Sequence, residues 1–431
     1  MRDASEAPSG VMDSGMAHSP GGFEMGNGGH LDFFLSEMSV SDLHGGGLTL
    51  QRILGEELDS IPLFVHPHRF ARELPPAARL RARSEFVVSW LQKRSTARWM
   101  GCRPSYWLFN REFMRARQAR RTAGVIGKRL GARELLRGLV CPQDQDAVRA
   151  LERLKSVRRV KYITWMMDDY MARPVEGRWV YPRIFRELFG KHLREADSVF
   201  VISPVMAELY EREFRVKSTV LFGPGEEFAG RAREAASEDG VLKIGYFGRL
   251  WEWQLNGLAR FAQALDSSWQ RLDIYTPEEE APGALQLPGV AMKGFLPKEA
   301  VQRTMLDYDA VLLPLSFDEK DRNLVELNIA TKMSECLASG TVTVVCGPSY
   351  AAMVRFLEPT GAACVLTGES LASWPSIASR LREATFRRRV LDSARRLVEA
   401  ELSSGVMRRR WRYAVKKLME SERLPHTPVA V

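Results

Sequence analysis

Cysteine is scarce and scattered. The 431 residues carry five, Cys102, Cys141, Cys336, Cys346 and Cys364, an odd number with wide gaps and mostly apolar neighbours. That pattern argues against a disulfide framework or a zinc site, and a reducing, cytoplasmic location is expected from it. No uninterrupted apolar run approaches the roughly 20 residues that span a bilayer. The amino terminus has no basic stretch followed by an apolar core, so a secretory signal is not expected. Strict phosphate-binding fingerprints are missing too: no Gly-Lys-Ser/Thr closes a Walker loop, and no G-x-G-x-x-G follows a strand. No recognised nucleic-acid module is present.

What is there belongs to a globular protein of more than one core. At 48.8 kDa the chain exceeds what a single hydrophobic core usually serves, so two domains are expected. Hydrophobic residues make up 45% and charged residues 27%, the balance of a soluble globular chain. The net charge of +9 invites an anionic partner: nucleic acid, an acidic membrane surface or a phosphorylated substrate. Basic residues crowd 69–137, whereas 226–239 is acidic; a plain solvated surface accounts for such an excess equally well. Residues 1–29, rich in Gly, Ser, Met and Pro without periodicity, are expected to be a disordered tail.

The most informative stretch is 307–347, DYDAVLLPLSFDEKDRNLVELNIATKMSECLASGTVTVVCG. It predicts a buried strand from Ala310 to Leu315, a polar loop, a helix from about Thr331 to Gly340, and a second strand from Val342 to Val345. A polar loop feeding a helix at the carboxyl end of a strand is where open α/β folds bind ligands. Thr331 is expected to cap the helix, leaving Lys332 and the first amides to hold an anion such as phosphate. Glu335, one turn on, is placed to accept hydrogen bonds from hydroxyls. Asp307 and Asp309 form a D-x-D, but they introduce a buried strand, and no metal is expected there.

Earlier in the chain, LDFFLSEMS predicts a strand over 31–39, followed by a glycine loop and the helical spacing of Leu48, Leu50, Ile53, Leu54 and Leu58. Gly45, Gly46 and Gly47 would let backbone amides approach a bound group. His44 either lines the cleft or caps. IPLFVH predicts the next strand. The segment 69–137, with its arginines, tryptophans and tyrosine, reads as helices with a basic exterior, with an anionic membrane surface as the next reading and nucleic acid the least favoured. VKYITWMM predicts a strand ending in Asp168 and Asp169, of which one faces the cleft and the alternative role is a cap. Beyond a helix over 181–194, Ser203 opens another helix after a strand, and Gly223-Pro224-Gly225 starts the best linker in the chain.

Several of these segments resemble one family. TKMSECLASG with TVTVV, EADSVFVISPVMAEL, LKIGYFGRL, GFLP and DAVLLPL are similar, motif by motif, to GT-B glycosyltransferases of the family 4-like group. The resemblance covers about 32–420, strongest in the second half and faint over 69–159. It implies an α/β fold of two Rossmann-like domains with parallel sheets facing each other across a cleft. The divisions it implies are a tail 1–29, an acceptor domain 30–225, a linker 226–240, a nucleotide-sugar donor domain 241–404 and a returning helix 405–425. It also implies that Glu335 binds the donor ribose, that Arg249 grips the diphosphate with Gly248, Thr331 and Lys332, that Gly46 and Gly47 face the cleft, and that Asp168 and Asp169 lie near acceptor or donor sugar.

The implied activity is sugar transfer from a nucleotide-sugar donor to a hydroxyl acceptor in bacterial-type glycan, polysaccharide or glycolipid synthesis, without metal or cofactor. The acceptor is a glycan, lipid or protein, with a peripheral contact between 69–137 and the inner face of an anionic membrane as the additional partner. The alternatives are a nucleotide-sugar epimerase on the same fold and a catalytically silent scaffold that binds an anionic surface. The sequence departs from the family in two places. Where a lysine usually follows the Gly-Arg pair it has Trp251, Glu252, Trp253 and Gln254, and counting back along E-x-x-x-x-x-x-x-E from Glu335 reaches Leu327, with Glu319 and Glu326 out of register.

Overall fold

A computed structural model describes residues 30–420 apart from 69–71, 73, 94, 97–98, 100–101, 169–170, 172–173, 176–177, 180–182 and 230–239. Its first half holds β1 (Phe33–Leu35), β2 (Phe64–His66), β3 (Ser84–Phe86), β4 (Leu135–Val140) and β5 (Arg159–Met166), a two-strand ribbon of β6 (Pro174–Val175) and β7 (Arg178–Trp179), then β8 (Ser198–Val201) and β9 (Thr219–Val220). Seven of these form a parallel sheet in the order β3-β2-β1-β4-β5-β8-β9. The second half holds β10 (Leu242–Phe247), β11 (Gln270–Tyr275), β12 (Val290–Gly294), β13 (Ala310–Pro314), β14 (Val342–Cys346) and β15 (Cys364–Leu366). These run parallel in the order β12-β11-β10-β13-β14-β15.

The sequences explain the placement. AVLLP and VTVVC carry no charged residue and are buried throughout, as strands covered by helices on both faces must be. VAMKG alternates between half-buried and exposed, and it lies at the sheet edge. In both sheets the strand order reverses next to the first strand, between β1 and β4 and between β10 and β13. Ligands of open parallel sheets bind outside the carboxyl ends at such reversals.

The expected first strand is cut short. Its ladder covers only Phe33–Leu35, because Ser36 and Ser41 turn the chain away from the sheet by accepting the backbone N–H of Met38 (3.1 Å) and Leu43 (3.2 Å). The three glycines after it are not a loop but the first turn of the helix Gly45–Leu54. Thr331 does not open the following helix with a side-chain cap: that helix runs Lys332–Ala338, and the Thr331 backbone is itself helical at φ −56°, ψ −32°. A capping residue needs an extended backbone to swing its oxygen over the following amides. Ser203, at φ −147° and ψ 153°, has that backbone and caps Pro204–Phe214 through the Met206 amide at 3.0 Å.

Two chain crossings join the halves side by side. The Gly225 N–H donates to Leu402 O (3.1 Å), and Ser404 N–H donates back to Gly225 O (3.2 Å). After the second crossing the helix Ser404–Glu420 lies on the first sheet. Trp411, fully buried, donates its indole N–H to Glu57 (2.5 Å) and its ring centre is 5.9 Å from that of Phe200. This basic amphipathic helix therefore spends its apolar face inside the protein. One hydrophobic cluster runs through both halves, from Phe34 and Phe200 to Met333 and Trp411. Among the described residues, no helix is long and apolar enough to cross a membrane.

Candidate active site

The site is built around the end of β10. Gly248 sits at φ +151°, a backbone that disfavours any side chain, and a β-carbon there would lie 2.7 Å from Lys332 Nζ. The turn it makes brings the Arg249 carbonyl to the Tyr246 hydroxyl (2.6 Å), which also lies 3.0 Å from Gln254 Oε1. Lys332 Nζ reaches the same hydroxyl at 3.2 Å and the Phe247 carbonyl at 3.5 Å, and stands 4.4 Å from the Tyr246 ring centre. Burial lowers the Lys332 pKa to about 8. Among the described residues no carboxylate lies within ion-pair distance of it. Arg249 is exposed next to it, its guanidinium 5.9 Å from the ring centre of exposed Trp251. Lys332 thus lies at the reversal between β10 and β13, with Arg249 following directly on the Gly248 turn.

Glu335 is on the next turn and already has a partner. Its Oε1 lies 2.5 Å from Nη1 of Arg52, which comes from the first-half helix Gly45–Leu54. The same Nη1 donates to Pro224 O at 3.2 Å. No motif announced Arg52; it stands in an ordinary helical run, QRIL, and only the packing of the two halves brings it to Glu335.

The glycine turn of the first half closes the other side. A β-carbon at Gly45 would lie 2.9 Å from Thr331 Oγ1, and one at Gly223 2.8 Å from Thr331 Cα, so Thr331 is wedged between two glycines from the other side of the cleft. Gly46 faces the end of β5, where its β-carbon would lie 3.2 Å from Met167 Sδ. Gly47 has a different use. Its amide donates to His44 Nδ1 at 3.1 Å, and the Ser41 carbonyl, 2.2 Å from where a β-carbon would be, leaves no room for a side chain. Gly47 is therefore spent on its own chain rather than offered to a ligand. His44 is a capping residue: burial lowers its pKa, Nδ1 accepts, and Nε2 donates to Ser39 O at 2.9 Å.

Asp168, half-buried, follows β5 at this cleft, while Asp169 lies outside the described residues. Leu327 is buried at 3% exposure and its carbonyl accepts the Ser203 hydroxyl (2.5 Å), so that position serves packing between the halves. Glu319 and Glu326 both pair with Arg322, at 3.2 and 3.0 Å. Asp309, which introduces β13, is fully buried and accepts the Lys243 amide (2.8 Å).

Tertiary packing also assembles a constellation that spacing did not reveal. His68, Asp144 and Asp146 bring ligand-type atoms within 4.8 Å of one another. The buried Arg115 guanidinium lies 2.7 Å from Asp146 and 3.6 Å from Asp144 and supplies the positive charge there.

No protein-family model matches the sequence, and no curated protein matches it. Solved structures do. HepE from Anabaena, crystallised with UDP and glucose, superposes with a TM-score of 0.57 at 12% identity over 90% of this chain and 100% of its own. A glycosyltransferase from Rickettsia africae gives 0.57 at 12% identity over 91% and 100%. The lipopolysaccharide outer core galactosyltransferase WaaB, in its apo form, gives 0.60 at 12% identity over 89% and 98%. Two parallel Rossmann-like sheets, joined by a double crossing and a returning helix and matched over nearly the whole length of these proteins, make this chain a member of the GT-B fold.

Proposed function

We propose that the protein is a glycosyltransferase that moves a sugar from a nucleotide-sugar donor to a hydroxyl acceptor in bacterial-type glycan, polysaccharide or glycolipid synthesis. The observation that carries this reading is Lys332. A half-buried ammonium with no carboxylate partner among the described residues, placed where a parallel sheet binds ligands, is a site for an anion. Arg249 adds a guanidinium that bridges two oxygens and never loses its charge. Together they stabilise a departing diphosphate without metal or cofactor, and electrostatic terms of this kind usually dominate catalysis. Glu335 accepts hydrogen bonds from the ribose hydroxyls, Gly248 and Thr331 border the donor, and Asp168 and Asp169 serve the reacting groups from the first-half side together with the turn at Gly46, while Gly47 keeps its capping role. HepE has been crystallised with UDP and with UDP-glucose, which makes uridine nucleotides the first donors to try.

The acceptor is held by the first half of the chain. Exposed Trp90, Trp99, Trp107 and Phe113 within the basic stretch 69–137 support a peripheral contact with an anionic membrane at its inner, cytoplasmic face. Arg111 covers the Trp107 ring at 3.7 Å, the pairing of cation and aromatic that suits a headgroup layer.

A second reading, a catalytically silent scaffold, draws on buried Leu327 where the family carries a glutamate and on the missing lysine after Arg249. Incubating the full chain with a panel of nucleotide sugars and following nucleoside diphosphate separates the readings. Release that depends on added acceptor supports transfer; binding without release supports the scaffold; conversion of free donor without acceptor supports an epimerase.

A further inference from the structure

The Arg52–Glu335 pair sits beside the two chain crossings that join the halves. Arg52 Nη1 contacts Glu335 (2.5 Å) and the Pro224 carbonyl in the first crossing (3.2 Å), while the Arg52 carbonyl accepts from Arg408 Nε (3.0 Å) just past the second crossing. The crossing is pressed against the donor-side helix: a β-carbon at Gly225 would lie 2.6 Å from the Ser334 carbonyl. One side chain from the first half therefore touches both the polypeptide crossing and the carboxylate assigned to the donor.

A carboxylate has two oxygens and about four lone-pair positions. Arg52 occupies one direction on Oε1. Glu335 keeps 34% of its side chain exposed, which leaves acceptor capacity for a pair of vicinal hydroxyls. The contact is compatible with a bound ribose and fixes the carboxylate's orientation before one arrives, which removes part of the ordering cost of binding.

We propose that Arg52 is a positioning residue that ties the donor-site carboxylate of Glu335 to the interdomain crossing, so that nucleotide occupancy and this arrangement of the two domains stabilise one another. The inference rests on the reading of Glu335 as the ribose acceptor. Such coupling is reciprocal: whatever fixes the arrangement raises nucleotide affinity, and nucleotide holds the arrangement.

The test is nucleoside diphosphate binding by calorimetry to the full chain, with UDP first and GDP, ADP, CDP and TDP in turn. Arg52→Ala should weaken binding by about five- to tenfold, in the usual range of coupling between sites. Arg52→Lys, which keeps the charge but not the fork, should recover part of the loss. The control is Arg355→Ala, which removes another ion pair between the halves, to Glu208 at 3.0 Å, remote from Glu335 in the sequence and without contact to it. It should leave the affinity unchanged. Arg52→Ala with wild-type or higher affinity overturns the inference, the higher value meaning that Arg52 competes with ribose. An equal loss in Arg355→Ala also overturns it, since general loosening of the domains would then explain both. If the wild type binds none of the five nucleotides, the donor-site reading fails and the inference falls with it.

Discussion

Lys332 Nζ lies 4.4 Å from the centre of the Tyr246 ring and 3.2 Å from its hydroxyl. The aromatic face and the hydroxyl stabilise the ammonium, but burial is the larger influence and lowers its pKa to about 8. The amine is mostly charged at pH 7 and mostly neutral about two units higher. Nucleoside diphosphate affinity should therefore fall as pH rises through about 8, by up to roughly tenfold per unit once the amine has titrated. Bound phosphate favours the charged form and moves the fall upward. A pH series of UDP titrations measures this, and Lys332→Arg should flatten the profile because a guanidinium does not titrate there. A flat wild-type profile would remove Lys332 from the anion site.

Arg249→Ala should weaken diphosphate binding by about tenfold to a hundredfold, the worth of one charge-assisted contact at roughly 1.5 to 3 kcal/mol. Arg249 is exposed and its guanidinium lies over the exposed Trp251, so the melting temperature without ligand should barely move. Equal diphosphate affinity in a folded variant would sink the assignment.

Gly248→Ala tests the turn rather than a charge. A side chain at φ +151° is strained, at a cost of about 1–3 kcal/mol, and its β-carbon would push Lys332 Nζ from 2.7 Å. Both stability and nucleotide affinity should drop. A variant that melts like the wild type and binds equally well would mean that the turn has no such constraint.

Glu335→Gln keeps one acceptor oxygen and substitutes a donor for the other. Ribose hydroxyls should then pair poorly, and the nucleotide-induced rise in melting temperature should shrink. The pair with Arg52 is partly exposed, at 23% and 34%, so the loss of intrinsic stability should stay within about 1 kcal/mol. Thermal melts with and without a nucleotide panel read both effects. Equal ligand-induced shifts would rule out the ribose role.

Glu37 makes stability depend on pH. It is fully buried beyond β1, where its two oxygens accept the amides of Gln143 (2.8 Å) and Ala147 (2.6 Å). Burial, and then the neighbouring Asp144 charge, raise its pKa from 4.5 to about 8. The folded protein thus holds a proton that the unfolded chain releases, so this contribution to stability is fully present below about pH 4.5 and is lost as pH rises through about 8. Buried His66 and His192, with pKa values lowered to about 4 and about 3, oppose it only below about pH 6.5. Unfolding free energy, and with it the melting temperature, should therefore decline from about pH 6.5 to 8, the free energy at up to about 1.4 kcal/mol per unit and about half that by pH 8, and Glu37→Gln should remove most of that slope. A rise over this interval would contradict the protonated state.

Much of the architecture was legible because it rests on local patterns. Uninterrupted apolar runs such as AVLLP marked β13, and LKIGYF followed by Gly-Arg marked the end of β10 together with its cation. The Ser203 cap was readable as well, since serine before proline and a helical run has one conformation that satisfies the first amides. Thr331 misled for the same kind of reason. A threonine before a helix suggests a cap, but here its backbone joins the helix and its side chain caps nothing, while Gly45 and Gly223 leave room for it where a β-carbon would collide. The glycine run likewise predicts a loop, since three glycines are poor helix formers. The His44 cap on Gly47 and the space denied by Ser41 hold them in a helical turn.

The sequence by itself determined the periodicities, the breaks between them and the chemical types available: two cations and a glutamate in the second half, glycines in the first. Periodicity acts over a few residues, through backbone sterics and the need to pair buried amides, so it can be read along the chain. Only the tertiary structure decided which groups meet. Arg52 reaches Glu335, Lys332 lies against Tyr246 with no carboxylate in reach among the described residues, and Glu37 is buried where it keeps its proton. These depend on distances of a few ångströms between segments far apart in the chain, and on burial. Coulomb energies and pKa values vary steeply with both, and neither is a property of sequence spacing.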